Sequence, residues 1–147
     1  VFRSRFSALI LTDPASLDAV LLMATSHHLK AHGPRSTHPV DASQLRDMAM
    51  REINHALADQ RRATSDPMVV AVAHMACHEA LHGQSNLFHT HMTGLARMVD
   101  LRGGLAALGA DGALERLLRW VDVSTAEARA CRPYFDEVAM QGSARWL

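Results

Sequence analysis

The sequence is poor in the residues that define several other classes of protein. Of its 147 residues only Cys77 and Cys131 are cysteines, and aromatic residues make up 5%. Two cysteines so far apart favour reduced thiols in an intracellular protein over a disulfide framework. No apolar run approaches the roughly 20 residues that a membrane-spanning helix needs, and the first residues lack the apolar core of a signal peptide. We therefore expect neither a disulfide-rich secreted protein nor any contact with a membrane.

The chain also lacks an excess of either charge. Lysine plus arginine and aspartate plus glutamate number 15 each, so the formal net charge is zero when the histidines are neutral. A protein that binds nucleic acid usually presents a positive field to the phosphates, and this composition provides no global field of that kind. We expect no direct nucleic-acid binding by this segment.

The composition is typical of one globular domain. Hydrophobic residues make up 48% of the chain, and a chain of this length can bury most of its apolar surface in a single core. A start at Val1 and an end at Trp146 and Leu147 suggest a fragment of a longer protein. We therefore treat residues 1–147 as a single domain.

Helix signals recur along the whole chain, and no segment predicts a strand. Asp13-Pro14 and Asp66-Pro67 each combine a capping aspartate with a proline suited to the first turn of a helix. The second of these helices is apolar nearly all the way round, so it should be the central one. Apolar periodicity predicts further helices at roughly 42–63 and 112–131, and another that begins at Pro133. The predicted fold is all-α, a single domain of about six packed antiparallel helices without a sheet.

A further helix ends at a pair of glycines. Its last residues lead through Arg102 into Gly103 and Gly104, and glycine enters the left-handed conformation of a C-cap without steric penalty. Its apolar residues recur every three or four positions, which places them on one face: Phe88, Met92, Leu95 and Met98.

This region resembles the regulatory region of fungal zinc-binuclear-cluster transcription factors. The resemblance is clearest over residues 66–126, where Glu79 and Gly83 fit its upstream part. It depends on the pattern His-x-x-Gly-Leu-x-x-Met-Val-x-x-Arg-Gly-Gly, followed by Leu-Gly and then by Leu-x-x-Trp-x-Asp. The matching residues are His91, Gly94, Leu95, Met98, Val99, Arg102, Gly103, Gly104, Leu108, Gly109, Leu117, Trp120 and Asp122.

The resemblance implies a non-catalytic nuclear module without a cofactor, which responds to an effector and interacts with other proteins. Its implied partners are the other domains of the parent regulator and a small-molecule effector. A truncated domain would also expose apolar surface, so a homodimer is an additional expectation. The chain departs from the family in one respect, because members usually carry a cluster of six cysteines that holds two zinc ions.

One motif points to a different function. His78-Glu79-Ala80-Leu81-His82 matches the His-Glu-x-x-His pattern of zinc hydrolases, in which histidines four apart bind the metal and the glutamate acts as a base. The extended metzincin continuation is absent, because Ser85 and Phe88 occupy the positions of its glycine and third histidine. We therefore expect no metal, and keep as alternatives a hydrolase with His78 and His82 as ligands and a purely structural scaffold.

Two further sites are open to interpretation. Arg102 either binds an anionic effector or, as we favour, caps helix-end carbonyls and pairs with a carboxylate such as Asp122 or Asp100. Trp120 is either a core residue or an anchor for an adjoining domain. If an effector pocket exists, the flexible methionines of the two central helices favour the groove between those helices as its place. Its lining would be Met75, His78, Met92 and Leu95.

Overall fold

A computed structural model of the chain describes residues 2–33 and 41–135, and within those ranges it is all-helical. No strand occurs in these ranges, which confirms the predicted all-α fold. Two single 3-10 turns, Leu105–Ala107 and Ala110–Gly112, join the last two helices. The helices are α1 (Phe2–Leu11), α2 (Pro14–His32), α3 (Ala42–Leu57), α4 (Asp66–His82), α5 (Ser85–Leu101) and α6 (Ala113–Arg129).

The helix α4 is the centre of the fold, as its apolar sequence predicts. It packs against α2, α5 and α6, and also contacts α1 and α3. Twelve of its 17 residues are buried, including every residue from Met68 to Ala73. A helix that is buried on all sides must be apolar around its whole circumference, which is the pattern of this segment.

The two aspartate-proline starts differ in their chemistry. At the start of α2 the Asp13 carboxylate accepts a hydrogen bond from the Ala15 N–H at 3.0 Å, so it is a true N-cap. At the start of α4 the N-cap residue is Ser65, whose side chain makes no capping hydrogen bond. Asp66 is therefore the first residue of its helix rather than the cap, and its carboxylate is left for a partner elsewhere in the chain.

The end of α5 has the geometry that the paired glycines predict. Gly103 and Gly104 have φ values of 95° and 103°. The Gly104 N–H donates to the Val99 carbonyl at 2.9 Å, and the Gly103 N–H donates to the Asp100 carbonyl at 3.0 Å. This pair of bonds is the Schellman motif, which satisfies two carbonyls at the end of the helix.

The structure differs from the predicted helices in three places. The helix α1 was not predicted, because no capping signal precedes it. The helix predicted at 42–63 ends at Leu57, because Asp59 accepts hydrogen bonds from following N–H groups and so competes with the helical pattern. Residues 133–135 are not helical. The rest of the helix predicted from Pro133 lies outside the described residues.

Candidate functional site

The carboxylate of Glu79 lies buried where several helices meet. Its side chain is 1% exposed. Its Oε1 accepts hydrogen bonds from Arg46 of α3, from Nε at 3.0 Å and from Nη2 at 2.7 Å. Its Oε2 accepts the N–H of Gln84, at the start of α5, at 2.9 Å. Both oxygens are therefore engaged in contacts between helices.

The backbone of the same turn is held by the last residue of α6. The guanidinium of Arg129 donates to the carbonyl of Glu79 and, at 3.1 Å, to the carbonyl of Gly83. Gly83 leaves the space that the carboxylate fills, because a Cβ there would lie 1.8 Å from Glu79 Oε2. We call Arg46, Glu79, Gly83, Gln84 and Arg129 the Glu79 junction, since these residues join α3, α4, α5 and α6.

The surroundings of Glu79 keep it ionised. Burial by itself would raise the pKa of the carboxyl, but the Gln84 hydrogen bond and the Arg46 guanidinium together lower the pKa below its ordinary value. A general base needs an oxygen that is free to take a proton from water. The Glu79 carboxylate is instead committed to Arg46 and Gln84.

The two histidines of the hydrolase motif both contact residues of α2. The Nε2 of His78 lies 3.1 Å from the hydroxyl of Ser26, and the His82 ring packs edge-on against His27. The ring centroids of His78 and His82 are 5.6 Å apart. Within residues 2–33 and 41–135, no three histidine, cysteine or acidic side chains are arranged to hold a metal ion. The sequence has the spacing of the hydrolase motif, and in the structure His78 and His82 pack against α2.

Burial of four histidines predicts that the domain loses stability in mild acid. The pKa values of His74, His78, His82 and His91 all lie below 6.5, mainly because burial disfavours the charged ring. Since each folded-state pKa is below the unfolded one, the unfolded chain binds more protons as the pH falls. The stabilisation is complete above pH 6.5 and is lost progressively below it.

Thermal unfolding followed by circular dichroism at several pH values measures this effect. We expect the Tm to fall between about pH 6.5 and pH 5. Over most of this window the contribution of Glu79 is still in place, because its pKa lies below 4.5. A Tm that is constant or rises toward pH 5 would show that these rings are not buried as neutral groups.

Arg102 contacts the N-terminal end of α4, at the opposite end of the helix from the Glu79 junction. Its Nη2 lies 2.7 Å from Asp66 Oδ1, and its Nη1 donates to the Thr64 carbonyl at 2.7 Å. The structure therefore confirms the predicted pairing with a carboxylate, but the partner is Asp66 and neither Asp100 nor Asp122. Gly109 makes room for this pair, because a Cβ there would lie 2.0 Å from Asp66 Oδ2.

Replacing Arg102 with alanine is expected to lower the free energy of unfolding by about 1–3 kcal/mol, because a partly buried ion pair and a carbonyl contact are lost together. Chemical denaturation of the wild type and the variant measures the difference. Arg119→Ala removes an exposed pair with Glu115 on a single helix and is the matched control. An Arg102→Ala variant as stable as this control would contradict a structural role.

Asp122 and Trp120 lie on α6 and have separate roles. The two oxygens of Asp122 accept the N–H groups of Tyr134 and Phe135, each at 2.6 Å, so this buried carboxylate holds the segment that follows α6. Trp120 is 63% exposed. It is therefore not a core residue, which leaves the prediction of an anchor for another domain.

The residues of the predicted pocket between α4 and α5 are buried. Met75, Met92 and Leu95 are fully buried, and His78 is buried as well. None of these four residues lines either of the two cavities described next. A pocket at these four residues stays a prediction.

Two open cavities lie elsewhere, on opposite flanks of α4. The first, of about 520 Å³, lies between α2, α4 and α6, and His74, Cys77 and Trp120 are among its lining residues. Burial raises the pKa of the Cys77 thiol to about 12, so this thiol is uncharged at neutral pH. The second, of about 380 Å³, lies between α3 and α5, with Val72 of α4 at its base. We call them the α2–α6 cavity and the α3–α5 groove.

The remaining residues of the sequence motif divide between packing and the α3–α5 groove. His91 and Gly94 line the groove, while Arg102, Gly103 and Gly104 shape the end of α5. A family model described as the fungal specific transcription factor domain matches residues 1–126. The chain belongs to this family. No curated protein and no solved structure matches it.

Membership extends the match well beyond the region where the resemblance was clearest. The fungal specific transcription factor domain covers α1 to α3 as well as the predicted core at 66–126, so Arg46 lies inside it together with its partner Glu79. The family assigns the chain to fungal transcription regulation. Among the described residues of this domain, no helix is long and apolar enough to cross a bilayer.

Sequence reasoning missed the residues that complete each end of α4. Neither Arg46 nor Arg129 was predicted as a site residue, and Asp66 was predicted only to cap its helix. The one available signal was that buried carboxylates need cationic partners. Glu79 lies on a helix predicted to be buried all round, so that rule could have prompted a search for an arginine.

Proposed function

We propose that the chain is a non-catalytic, effector-responsive regulatory domain of a nuclear fungal transcription regulator. Ligand occupancy of the space beside α4 would change the packing of α4 against its neighbours. That change would alter how the domain contacts the other parts of the regulator. The family membership supports the regulatory role.

The observation that carries the effector response is the position of the two cavities. Both have α4 as a wall, through His74, Cys77 and Leu81 on one flank and Val72 on the other. The same helix is tied at both ends, by the Glu79 junction and by the pair of Asp66 with Arg102. A ligand that favours one packing of α4 would therefore shift the population of the whole domain toward it.

The surface of α6 supports an interaction with another part of the regulator. Trp120 and Val123 are 63% and 59% exposed, and Leu81 of α4 is also exposed close by at the rim of the α2–α6 cavity. Exposed aromatic and aliphatic side chains of this size are typical of contact surfaces. In this proposal the partner is an adjoining domain of the same regulator, and a second copy of the chain is the alternative.

The commitment of Glu79 to Arg46 and Gln84 supports a non-catalytic function over a zinc hydrolase. A hydrolase would need that carboxylate beside a metal-bound water. In this proposal Glu79 instead holds α3 and the start of α5 against α4, through Arg46 and Gln84.

A reporter assay in a fungal cell tests the proposal. The chain is placed between a heterologous DNA-binding domain and an activation segment, and each cavity is filled separately by Ala24→Leu or Gly94→Leu. Both positions are exposed at a cavity wall. We expect at least one variant to change reporter output several-fold at equal protein abundance, because a filled cavity imitates a bound ligand.

The matched control is Arg119→Gln, an exposed change on α6 that borders neither cavity. It should leave the output unchanged. If both cavity variants, the control and a fusion without the domain all give the same output, the chain is a structural scaffold and the proposal is wrong.

A further inference from the structure

We propose that the α3–α5 groove binds a small molecule with an apolar body and a carboxylate group, for which Gly94 provides space and Arg97 provides charge. This inference rests on the proposed function and names the ligand class and the site. The groove volume of about 380 Å³ falls within the range of small-molecule sites.

The walls of the groove are mostly apolar. Side chains from α3, α4 and α5 converge on it and leave an open space between α3 and α5. An apolar body placed there would remove these walls from water, which is the main favourable term in binding such ligands. The apolar walls are Met50, Ile53, Leu57, Val72, Met98 and Leu101.

Gly94 is a residue that packing does not require. It lies inside α5 with an ordinary helical φ, and a Cβ added to it would meet no atom within 4 Å. Glycine inside a helix is less stable than alanine, since it loses more backbone freedom on folding. The missing side chain therefore has no structural benefit at this position, while it keeps the wall of the groove clear.

The charge of the groove comes from one residue. Arg97 alone among the lining residues carries a formal charge, and it forms no ion pair or hydrogen bond with any described residue. An exposed guanidinium at the edge of an apolar groove is suited to a carboxylate, which it can hold through two parallel hydrogen bonds. The ligand that complements this site is an anion with an apolar tail.

His91 is one of four further polar residues that line the groove, with Asn54, Thr64 and Thr90. Its Nε2 is buried without a hydrogen-bond partner among the described residues. Since this nitrogen has no surface exposed to the groove, the recognition of a carboxylate depends on Arg97.

The α2–α6 cavity provides an internal comparison. It is larger and apolar, and none of its lining residues is an arginine, a lysine or an acid. It has no group that would prefer a carboxylate over a neutral molecule. Selectivity for an anion should therefore depend on Arg97 and not on the other cavity.

Isothermal titration calorimetry with octanoate and with 1-octanol tests the inference. Octanoate should bind the wild-type chain saturably and more tightly than octanol. Arg97→Gln should weaken octanoate binding by about tenfold with little effect on octanol, because one charge-assisted contact is lost. Gly94→Leu should weaken both ligands, and Ala24→Leu, which fills the other cavity, should leave octanoate binding unchanged.

A stability measurement separates a binding role of Gly94 from a structural one. Gly94→Ala should raise the Tm of the ligand-free chain while it weakens octanoate binding, so the two effects have opposite signs. The inference is wrong if Gly94→Ala lowers the Tm, if Gly94→Leu binds octanoate like the wild type, or if octanoate does not saturate the wild type up to about 1 mM. None of these results affects the reporter assay, which tests the regulatory function separately.

Discussion

Replacing Glu79 with glutamine is expected to lower the free energy of unfolding by about 2–4 kcal/mol, because it removes the charge from a buried carboxylate that accepts three hydrogen bonds. The Glu79 side chain is 1% exposed, whereas the Arg46 side chain is 33% exposed, so water can solvate the guanidinium in part but cannot reach the position of Glu79. The variant keeps the shape of the side chain, which isolates the charge from the packing. Urea denaturation measures the loss.

The matched control is Glu115→Gln, which removes an exposed charge paired with Arg119 on α6 and should cost less than about 0.5 kcal/mol. The same purified Glu79→Gln protein also tests the hydrolase alternative. If it is as stable as the wild type, and the wild type has a zinc-dependent peptidase activity that the variant lacks, then Glu79 is a catalytic base and the structural interpretation fails.

Replacing Gly83 with alanine is expected to lower the free energy of unfolding by about 2–4 kcal/mol. The new Cβ would overlap Glu79 Oε2 at 1.8 Å and approach the Glu79 Cα at 2.9 Å. The carboxylate cannot simply rotate away, because Arg46 and Gln84 hold its two oxygens. The substitution should therefore weaken the whole Glu79 junction.

The control for this prediction is the same change at a position without neighbours. Gly94→Ala, in the interior of α5, should be neutral or stabilising, since its Cβ meets nothing within 4 Å. Thermal melts of both variants give the comparison directly. Equal stability of Gly83→Ala and the wild type would mean that the close contact at Glu79 does not exist in solution.

The local parts of the fold could be predicted from the sequence. Helix starts and ends depend on residues that are adjacent in the chain, such as Asp13 with Pro14 or Gly103 with Gly104, so their signals are visible without a structure. The central position of α4 follows from its composition in the same way. Membership of the family followed from the order and spacing of residues over a longer stretch.

The long-range partners could not be predicted. Glu79 pairs with Arg46, which lies 33 positions earlier on a different helix, and Asp66 pairs with Arg102, which lies beyond the far end of α5. Many arginines and acids have compatible spacing, so only the packing of the helices selects among them. For this reason the sequence suggested Asp100 and Asp122 as partners of Arg102. The packing of α5 against α4 instead brings Arg102 to Asp66, the first residue of α4.

The two cavities could not be predicted for a related reason. Met75 and Met92 were predicted to line a groove between the two central helices, but both are fully buried and neither lines one of these cavities. Open space arises where two helices flank a third without reaching each other, as α3 and α5 flank α4. Sequence periodicity gives the inner face of each helix but not the gaps between neighbouring helices.

Several residues of the sequence motif have a common structural purpose. Arg102 and Gly109 meet at Asp66, and Gly83 meets Glu79, so each end of α4 combines a carboxylate with an arginine and a glycine that makes room for it. This arrangement gives the glycines and the arginine of the motif a role in holding the ends of α4. It also places the two cavities beside a helix whose ends are fixed.

The coupling free energy between Arg46 and Glu79 tests the central claim most directly, namely that the His78-Glu79-x-x-His82 segment holds helices together. A double-mutant cycle with Arg46→Gln, Glu79→Gln and the combined variant isolates this pair from the other contacts of each residue. We predict a favourable coupling of about 2 kcal/mol, within the range measured for directly contacting charged residues. A coupling near zero would contradict the account, because Glu79 would then be free for another role.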